Sequence, residues 1–209
     1  MNKLKMILNR RKGNVTDEDV RPFRYLDWEK RYLRRSYEIE SNMLGAKVDI
    51  VVPIYNAEKN LPDFLRNVEK TNIRFRLILI DDASTDENTQ KLLKQYAETH
   101  SNADLVCNSQ NIGMVGSINR GLAMARNHVV LLSANVQLPQ NWLERLIAPI
   151  IKDPTVASAT PFTNSGSICS FPLSYKSNTV FNHIDVEQID RFFREIRSIY
   201  TIKMMLIYM

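Results

Sequence analysis

From Lys47 onward, short apolar runs alternate with segments whose apolar residues recur every three or four positions. The runs are VDIVVPI (48–54), FRLILID (75–81), ADLVC (103–107), HVVLLS (128–133) and TVASAT (155–160), and they predict five mostly buried strands. Between them lie four sets of apolar residues at helical spacing. These are Leu61, Phe64, Leu65 and Val68, then Leu92, Leu93 and Tyr96, then Val115, Ile118, Leu122 and Ala125, then Trp142, Leu143, Leu146 and Ile150. Each set predicts one helical face. Strict alternation of strand and helix implies right-handed crossovers and a mostly parallel α/β sheet flanked by helices. In such sheets ligands sit beyond the carboxyl ends of the strands.

The flanks read differently. Before Lys47, Tyr25, Trp28, Tyr32, Ser36, Ile39 and Met43 make a stripe beside Arg31, Arg34 and Arg35, predicting an amphipathic helix over 22–43 with Pro22 near its first turn. Residues 161–183 are rich in Ser, Asn, Thr and Pro and predict a long loop. Beyond it Ile189, Phe192, Phe193 and Ile196 share a helical face, so Asp185, Glu187, Asp190 and Glu195 are expected on a solvated one. The expected organisation is a basic helical extension over 1–46, an α/β core over 47–161 and a loop with a helix over 162–209.

Composition narrows the classes. At 209 residues and 44% hydrophobic, the chain has the material for one sizeable core, and it contains no apolar run long enough to span a bilayer. Residues 1–46 contain eleven Lys or Arg against seven Asp or Glu, so most of the net charge of +5 sits in the extension. That charge suits an anionic membrane surface or a protein partner. Its interleaving with acids, and the lack of a nucleic-acid-binding motif, argue against nucleic acid. Cys107 and Cys169 have no CxxC or Cys/His neighbour and are expected as buried or inert thiols. The N-terminus has no cleavage signature, so the expected location is cytoplasmic, or peripheral at the inner membrane face.

Candidate chemistry concentrates at strand ends. VDIVVPIYNAEKNL (48–61) and LILIDDASTDENT (77–89) both place polar residues immediately after an apolar strand. A carboxylate there can accept a hydrogen bond from a base N–H or a ribose hydroxyl, while a neighbouring aromatic covers the base. Asp82 and Tyr55 fit these two roles. Asp86 also reads as the cap of the following helix. In NSQNIGMVGSINRGLAMAR (108–126), Gly113 and Gly116 permit close backbone approach, and a helix N-terminus favours an anion.

In order and spacing these segments resemble family 2 glycosyltransferases. Pro53, Tyr55 and Asn56 match that family's first turn, Asp81, Asp82, Ser84 and Asp86 its DD-x-S-x-D turn, and Asn111, Gly113 and Gly116 its asparagine- and glycine-rich turn. The resemblance implies a GT-A fold and a nucleotide site formed by Pro53, Tyr55, Asn56, Asp81, Asp82, Ser84, Asn111, Gly113 and Gly116. It implies inverting transfer of a sugar from a nucleotide diphosphate to a saccharide or lipid-linked acceptor in polysaccharide or cell-surface glycan synthesis, aided by Mg2+ or Mn2+. TPFTNSGSICSFP (160–172) is similar to a segment that borders the donor sugar and acceptor in bacterial members.

Two departures stand out. In LLSANVQLPQNWL (131–143), Asn135 and Gln137 occupy the positions of the family's acidic D-x-D/E element, either as weak substitutes for it or as an ordinary polar loop. Amides offer oxygen without charge, so metal affinity is expected to fall. After 172 the family's glycine-rich segment and acidic base motif are not recognisable, and no residue is assigned as catalytic base. The acceptor half is therefore expected to be incomplete and transfer impaired. The alternative is a non-catalytic nucleotide-sugar-binding pseudoenzyme or partner subunit.

Overall fold

The computed structural model describes residues 45–195, apart from 167, 172 and 179–183, together with 206–207. The helix expected over 22–43 lies outside the described residues. The chain divides into two compact units, one running from Ile39 to Leu138 and the other holding Pro139–Met209 with Met1–Glu38.

The first unit is built on β1 (Val48–Ile54), β2 (Phe75–Asp81), β3 (Ala103–Cys107) and β4 (His128–Leu131). These form one parallel sheet in the order β3-β2-β1-β4. The helices α1 (Leu61–Val68), α2 (Glu87–Thr99) and α3 (Gly113–Met124) make the crossovers. Building outward from β1 in one direction and then the other places the reversal of strand order between β1 and β4, where such sheets open a crevice at their carboxyl ends.

Pro53 shows how that crevice opens. The Val51 carbonyl accepts from Leu132 N–H (3.1 Å) on the β4 side, and the Ile54 carbonyl accepts from Asp82 N–H (2.8 Å) on the β2 side. Residues two apart face the same neighbour, so Pro53 faces β4, whose pairing has already ended at Val51↔Leu131. A residue without an N–H is tolerated there because no strand remains to receive one.

The core forms as the apolar pattern predicts on β1, β2 and α1, where Ile50, Val51, Leu77, Leu79, Leu61 and Phe64 are buried. On α3 the expected face is only partly covered. Val115 and Leu122 are 71% and 40% exposed and Ile118 and Ala125 are half-buried, whereas Ser117 and Gly121 are buried. A Cβ on Gly121 would stand 2.3 Å from Val51 Cγ1, so the helix lies close on the sheet at this small residue. Beneath it, Val51, Ile78 and Ile80 form a cluster with Val106 and Met124 packed against it.

A buried carboxylate, Asp49, closes the opposite end of the sheet. It accepts from the backbone N–H groups of Arg126 (2.6 Å) and Asn127 (3.1 Å) and from the Asn127 amide (3.1 Å), with Arg76 alongside at 3.6 Å. Burial alone would raise its pKa. The hydrogen bonds from Arg126 and Asn127, with the Arg76 charge, more than offset this and hold it below the usual carboxylate value. Cys107, expected as buried or inert, is exposed on the edge strand β3. Partial desolvation and the neighbouring Asp81 raise its thiol pKa, so it stays protonated.

In the second unit α4 (Trp142–Lys152) and α5 (Val186–Glu195) are joined by an ion pair between Arg145 and Asp190, both buried. Asp190 is therefore not on the solvated face expected of it, because a guanidinium from another helix satisfies its charge in the interior. Gln140 N–H donates to Glu187 (2.9 Å) just before α4 begins. The strand expected at 155–160 does not form. Its residues are mostly exposed, and the segment opens with an Asp153 turn in which the carboxylate accepts from Thr155 N–H (2.9 Å) and Oγ1 (2.6 Å). Alanines and serine around one valine bury too little to hold an extended run against solvent.

Instead, the loop after it contains β5 (Phe162–Thr163), paired in parallel with β6 (Leu206–Ile207). Asn178 organises this loop. Its amide donates to the carbonyls of Asn164 (3.1 Å), Leu173 (2.9 Å) and Lys176 (3.1 Å) and accepts from Leu173 N–H (3.1 Å). Phe162 and Phe171 meet edge to face at 5.9 Å.

Candidate functional site

The turns after β1 and β2 are tied together by one side chain. Asn56, at φ 48°, accepts from the backbone N–H groups of Thr85 (2.9 Å) and Asp86 (3.0 Å) and donates to Thr85 Oγ1 (3.1 Å). Its own N–H donates to Ser84 Oγ (3.1 Å), and Ser84 N–H donates to Asp81 Oδ1 (3.0 Å). Asn56, Asp81 and Ser84 are thus joined in one brace. Asn tolerates the left-handed region better than other non-glycine residues, which suits it to this position. Asp86 caps α2, accepting from Asn88 N–H (3.2 Å) and Thr89 N–H (2.8 Å). Ala83 at φ 57° makes the tight bend between them.

Asp82 and Tyr55 are the first residues beyond adjacent strand ends, because Ile54 and Asp81 are register partners and Asp82 N–H donates to the Ile54 carbonyl. Tyr55 is 50% exposed, whereas Asp82 is only 3% exposed. Asp82 Oδ1 accepts from the Asn108 amide (2.7 Å) and from Ile112 N–H (2.9 Å). Burial opposes ionisation here, but these two bonds, with Ser117 and Gly113 adding to them, lower the pKa below the usual carboxylate value. Both bonds fall on Oδ1, and Oδ2 takes neither. A buried, ionised carboxylate with an oxygen left to accept, next to an aromatic ring open to solvent, can receive an N–H or O–H from a ligand that the ring covers.

The third segment closes the socket. Asn108 follows β3 directly and donates its N–H to the Asp81 carbonyl (2.8 Å). Its amide also donates to Ser117 Oγ (3.0 Å) and accepts from Arg120. Gly113, at φ 78°, opens α3 and donates to Asn111 Oδ1 (3.0 Å). At Gly116 a Cβ would come within 3.0 Å of the side chain of Ile112, whose backbone N–H is bound to Asp82. Asn108, Ser117 and Arg120 were not among the residues expected at the site. The signal was available in the position of Asn108 at the first residue beyond a strand, and in the three-residue spacing of Ser117 and Arg120 on one helix face.

Asn135 and Gln137 lie past the end of β4, both exposed. Their neutral amides do not make the charged oxygen set that Mg2+ or Mn2+ prefers. Among the described residues, no three His, Cys, Asp or Glu side chains converge, and these ions ordinarily take one or two carboxylates beside the substrate phosphates. Among the described residues, the two amides at this position therefore do not fit the divalent cation that the resemblance implies.

The model of glycosyl transferase family 2 matches residues 49–207. The chain belongs to that family. Family 2 relatives include the undecaprenyl-phosphate 4-deoxy-4-formamido-L-arabinose transferase of Pseudomonas fluorescens, 34% identical over 48% of this chain and 31% of the relative. The enzyme of the same description from Salmonella choleraesuis is 28% identical over 49% of this chain and 33% of the relative. The chain thus spans about a third of the length of the curated relatives it matches. Among solved structures, a mannosyltransferase from Pyrobaculum calidifontis in complex with GDP-Man and Mn2+ aligns with TM-score 0.50 at 22% identity, covering 69% of this chain and 41% of that one. The fold is the GT-A α/β arrangement of family 2, with the parallel sheet and flanking helices described above. Among the described residues no helix is long and apolar enough to cross a membrane.

Proposed function

We propose that this family 2 domain binds a nucleoside diphosphate sugar, with the nucleoside at Tyr55 and Asp82 and the diphosphate toward the α3 N-terminus at Gly113 and Gly116. The sugar passes, with inversion, to a saccharide or lipid-linked acceptor in polysaccharide or cell-surface glycan synthesis at the cytoplasmic membrane face. The carrying observation is the ionised Asp82 carboxylate, seated by Asn108 and Ile112 with Oδ2 outside both bonds, at the carboxyl end of the sheet. Asn111 and the brace of Asn56, Asp81 and Ser84 support the site by holding the turns around it. A lipid-linked acceptor is supported by the undecaprenyl-phosphate transferases among the relatives.

The test is calorimetric titration with UDP, dTDP, GDP, CDP and ADP. Asp82→Ala should weaken the tightest of these by about 1–3 kcal/mol, the range for losing a buried acceptor. A folded Asp82→Ala protein with the parent's affinity overturns the assignment.

The exposed amides of Asn135 and Gln137 favour a second reading, in which the chain binds nucleotide sugar without turning it over. Inverting transfer needs stabilisation of the leaving diphosphate and deprotonation of the acceptor hydroxyl, each commonly worth about two or more orders of magnitude in rate. Robust sugar transfer by the purified chain, abolished by Asp82→Ala, would decide against this second reading.

A further inference from the structure

Resting on the reading of Asp82 as the base acceptor, the geometry points to Arg120 as a positioning residue that acts on the nucleotide through Asn108. Its guanidinium holds the Asn108 amide so that the NH2 group stays on Asp82 and the other carboxylate oxygen is presented to the base in one orientation.

The argument starts from what each group can do. A guanidinium only donates and an ionised carboxylate only accepts. Asn108 lies between one of each, with Oδ1 taking the Arg120 bond and Nδ2 donating to Asp82 Oδ1 (2.7 Å) and Ser117 Oγ (3.0 Å). No other arrangement of this amide satisfies both neighbours. Arg120 is also tied to the end of β3 through the Cys107 carbonyl (3.3 Å). The pair Ser117 and Arg120, three residues apart on α3, therefore brackets Asn108 from the helix, while the Asn108 N–H ties it to β2 through Asp81 (2.8 Å).

Without Arg120 the Asn108 side chain is held only through its NH2 group, and the bond to Asp82 weakens as a member of a shortened chain of hydrogen bonds. Arg120 itself is exposed, so its removal should perturb the socket more than the fold.

The test uses the full chain and the nucleoside diphosphate that binds tightest among UDP, dTDP, GDP, CDP and ADP. Arg120→Met should weaken binding about 3- to 10-fold, the range for one hydrogen bond of this kind. It should also move the acid limb of the binding profile to higher pH, because the ionised form of Asp82 loses support. Arg120→Lys, which keeps a charged donor, should recover part of both effects. In an Asn108→Ala background, Arg120→Met should change affinity less than about twofold, since the intermediary is gone.

Unchanged affinity and an unchanged acid limb in Arg120→Met overturn the proposal. So does an equal loss in the Asn108→Ala background, which would mean that Arg120 acts on the diphosphate as a bare charge. Should Arg120→Met fail to fold, Arg120→Lys carries the same comparison, with a loss expected in the parent and none in Asn108→Ala. If Asp82→Ala binds like the parent, the base assignment and the relay both fall. If Asp82→Ala is weak and Arg120→Met is not, the relay alone falls.

Discussion

The brace at Asn56 is open to a graded test. Its side chain makes two bonds to backbone N–H groups, at 2.9 and 3.0 Å, and one to Thr85 Oγ1 at 3.1 Å, while its backbone sits at φ 48°. Asn56→Gly keeps the left-handed backbone accessible and removes the side-chain bonds. These are exposed, so water replaces much of what is lost, and the cost should be about 1–2 kcal/mol. Asn56→Ala removes the same bonds and adds the penalty of a Cβ in the left-handed region, about 1 kcal/mol more. Asn56→Asp keeps the acceptor but places a second negative charge beside Asp86, and should fall between parent and Gly. The expected order of stability is parent, Asp, Gly, Ala, read as the midpoint of urea unfolding at constant slope. Nucleotide affinity should fall in the same order, because the brace holds the Asp82 turn against the Tyr55 turn. A glycine variant as stable as the parent would show that the side-chain bonds contribute nothing. An alanine variant equal to the glycine one would show that the backbone conformation is not strained.

Three further outcomes follow from the same geometry. Gly121→Ala drives a methyl to 2.3 Å from Val51 Cγ1 and should destabilise the chain by about 1–3 kcal/mol, with Val51→Ala partly relieving the clash in the double variant; thermal melts of the three proteins check this. Asp49 has a folded pKa below its unfolded value, so its contribution is present above about pH 4 and lost as pH falls through the folded pKa, the unfolded state binding more protons in that window. Asp49→Asn should flatten the acid limb of the stability profile, and an unchanged limb in acid titration would contradict the assignment. Restoring carboxylates with Asn135→Asp and Gln137→Asp should tighten Mn2+ binding in the presence of nucleotide roughly tenfold or more, since hard cations follow ligand charge; calorimetry with the double variant and parent measures it.

Much of the first unit is legible in the sequence. The predicted ranges of β1, β2 and β3 coincide with the observed strands, and Leu61, Phe64, Leu65 and Val68 are buried on α1 as their spacing requires. Continuous apolar runs and a regular helical stripe are local signals, readable because burial on both faces of a sheet, or on one face of a helix, leaves its period in the chain. The placement of Asp82 and Asn56 at strand ends was legible for the same reason. The order β3-β2-β1-β4 was not, since periodicity says which residues are buried but not which strand lies beside which.

Tertiary structure also decided the face of α3. Its large apolar residues follow helical spacing, yet Ser117 and Gly121 are buried, because only small side chains admit a helix as close to β1 as the Gly121–Val51 approach requires. The same closeness lets Ser117 and Arg120 reach Asn108, and it is this meeting of α3 with the end of β3 that seats Asp82. The conversion of Asp190 from an expected surface charge to a buried partner of Arg145 has the same origin. The sequence alone determined which segments become strands and helices and which polar residues stand at their ends, because those are properties of neighbours along the chain. Which buried polar groups satisfy one another was decided only when distant segments met, because a hydrogen bond across the fold depends on distances that no local pattern carries.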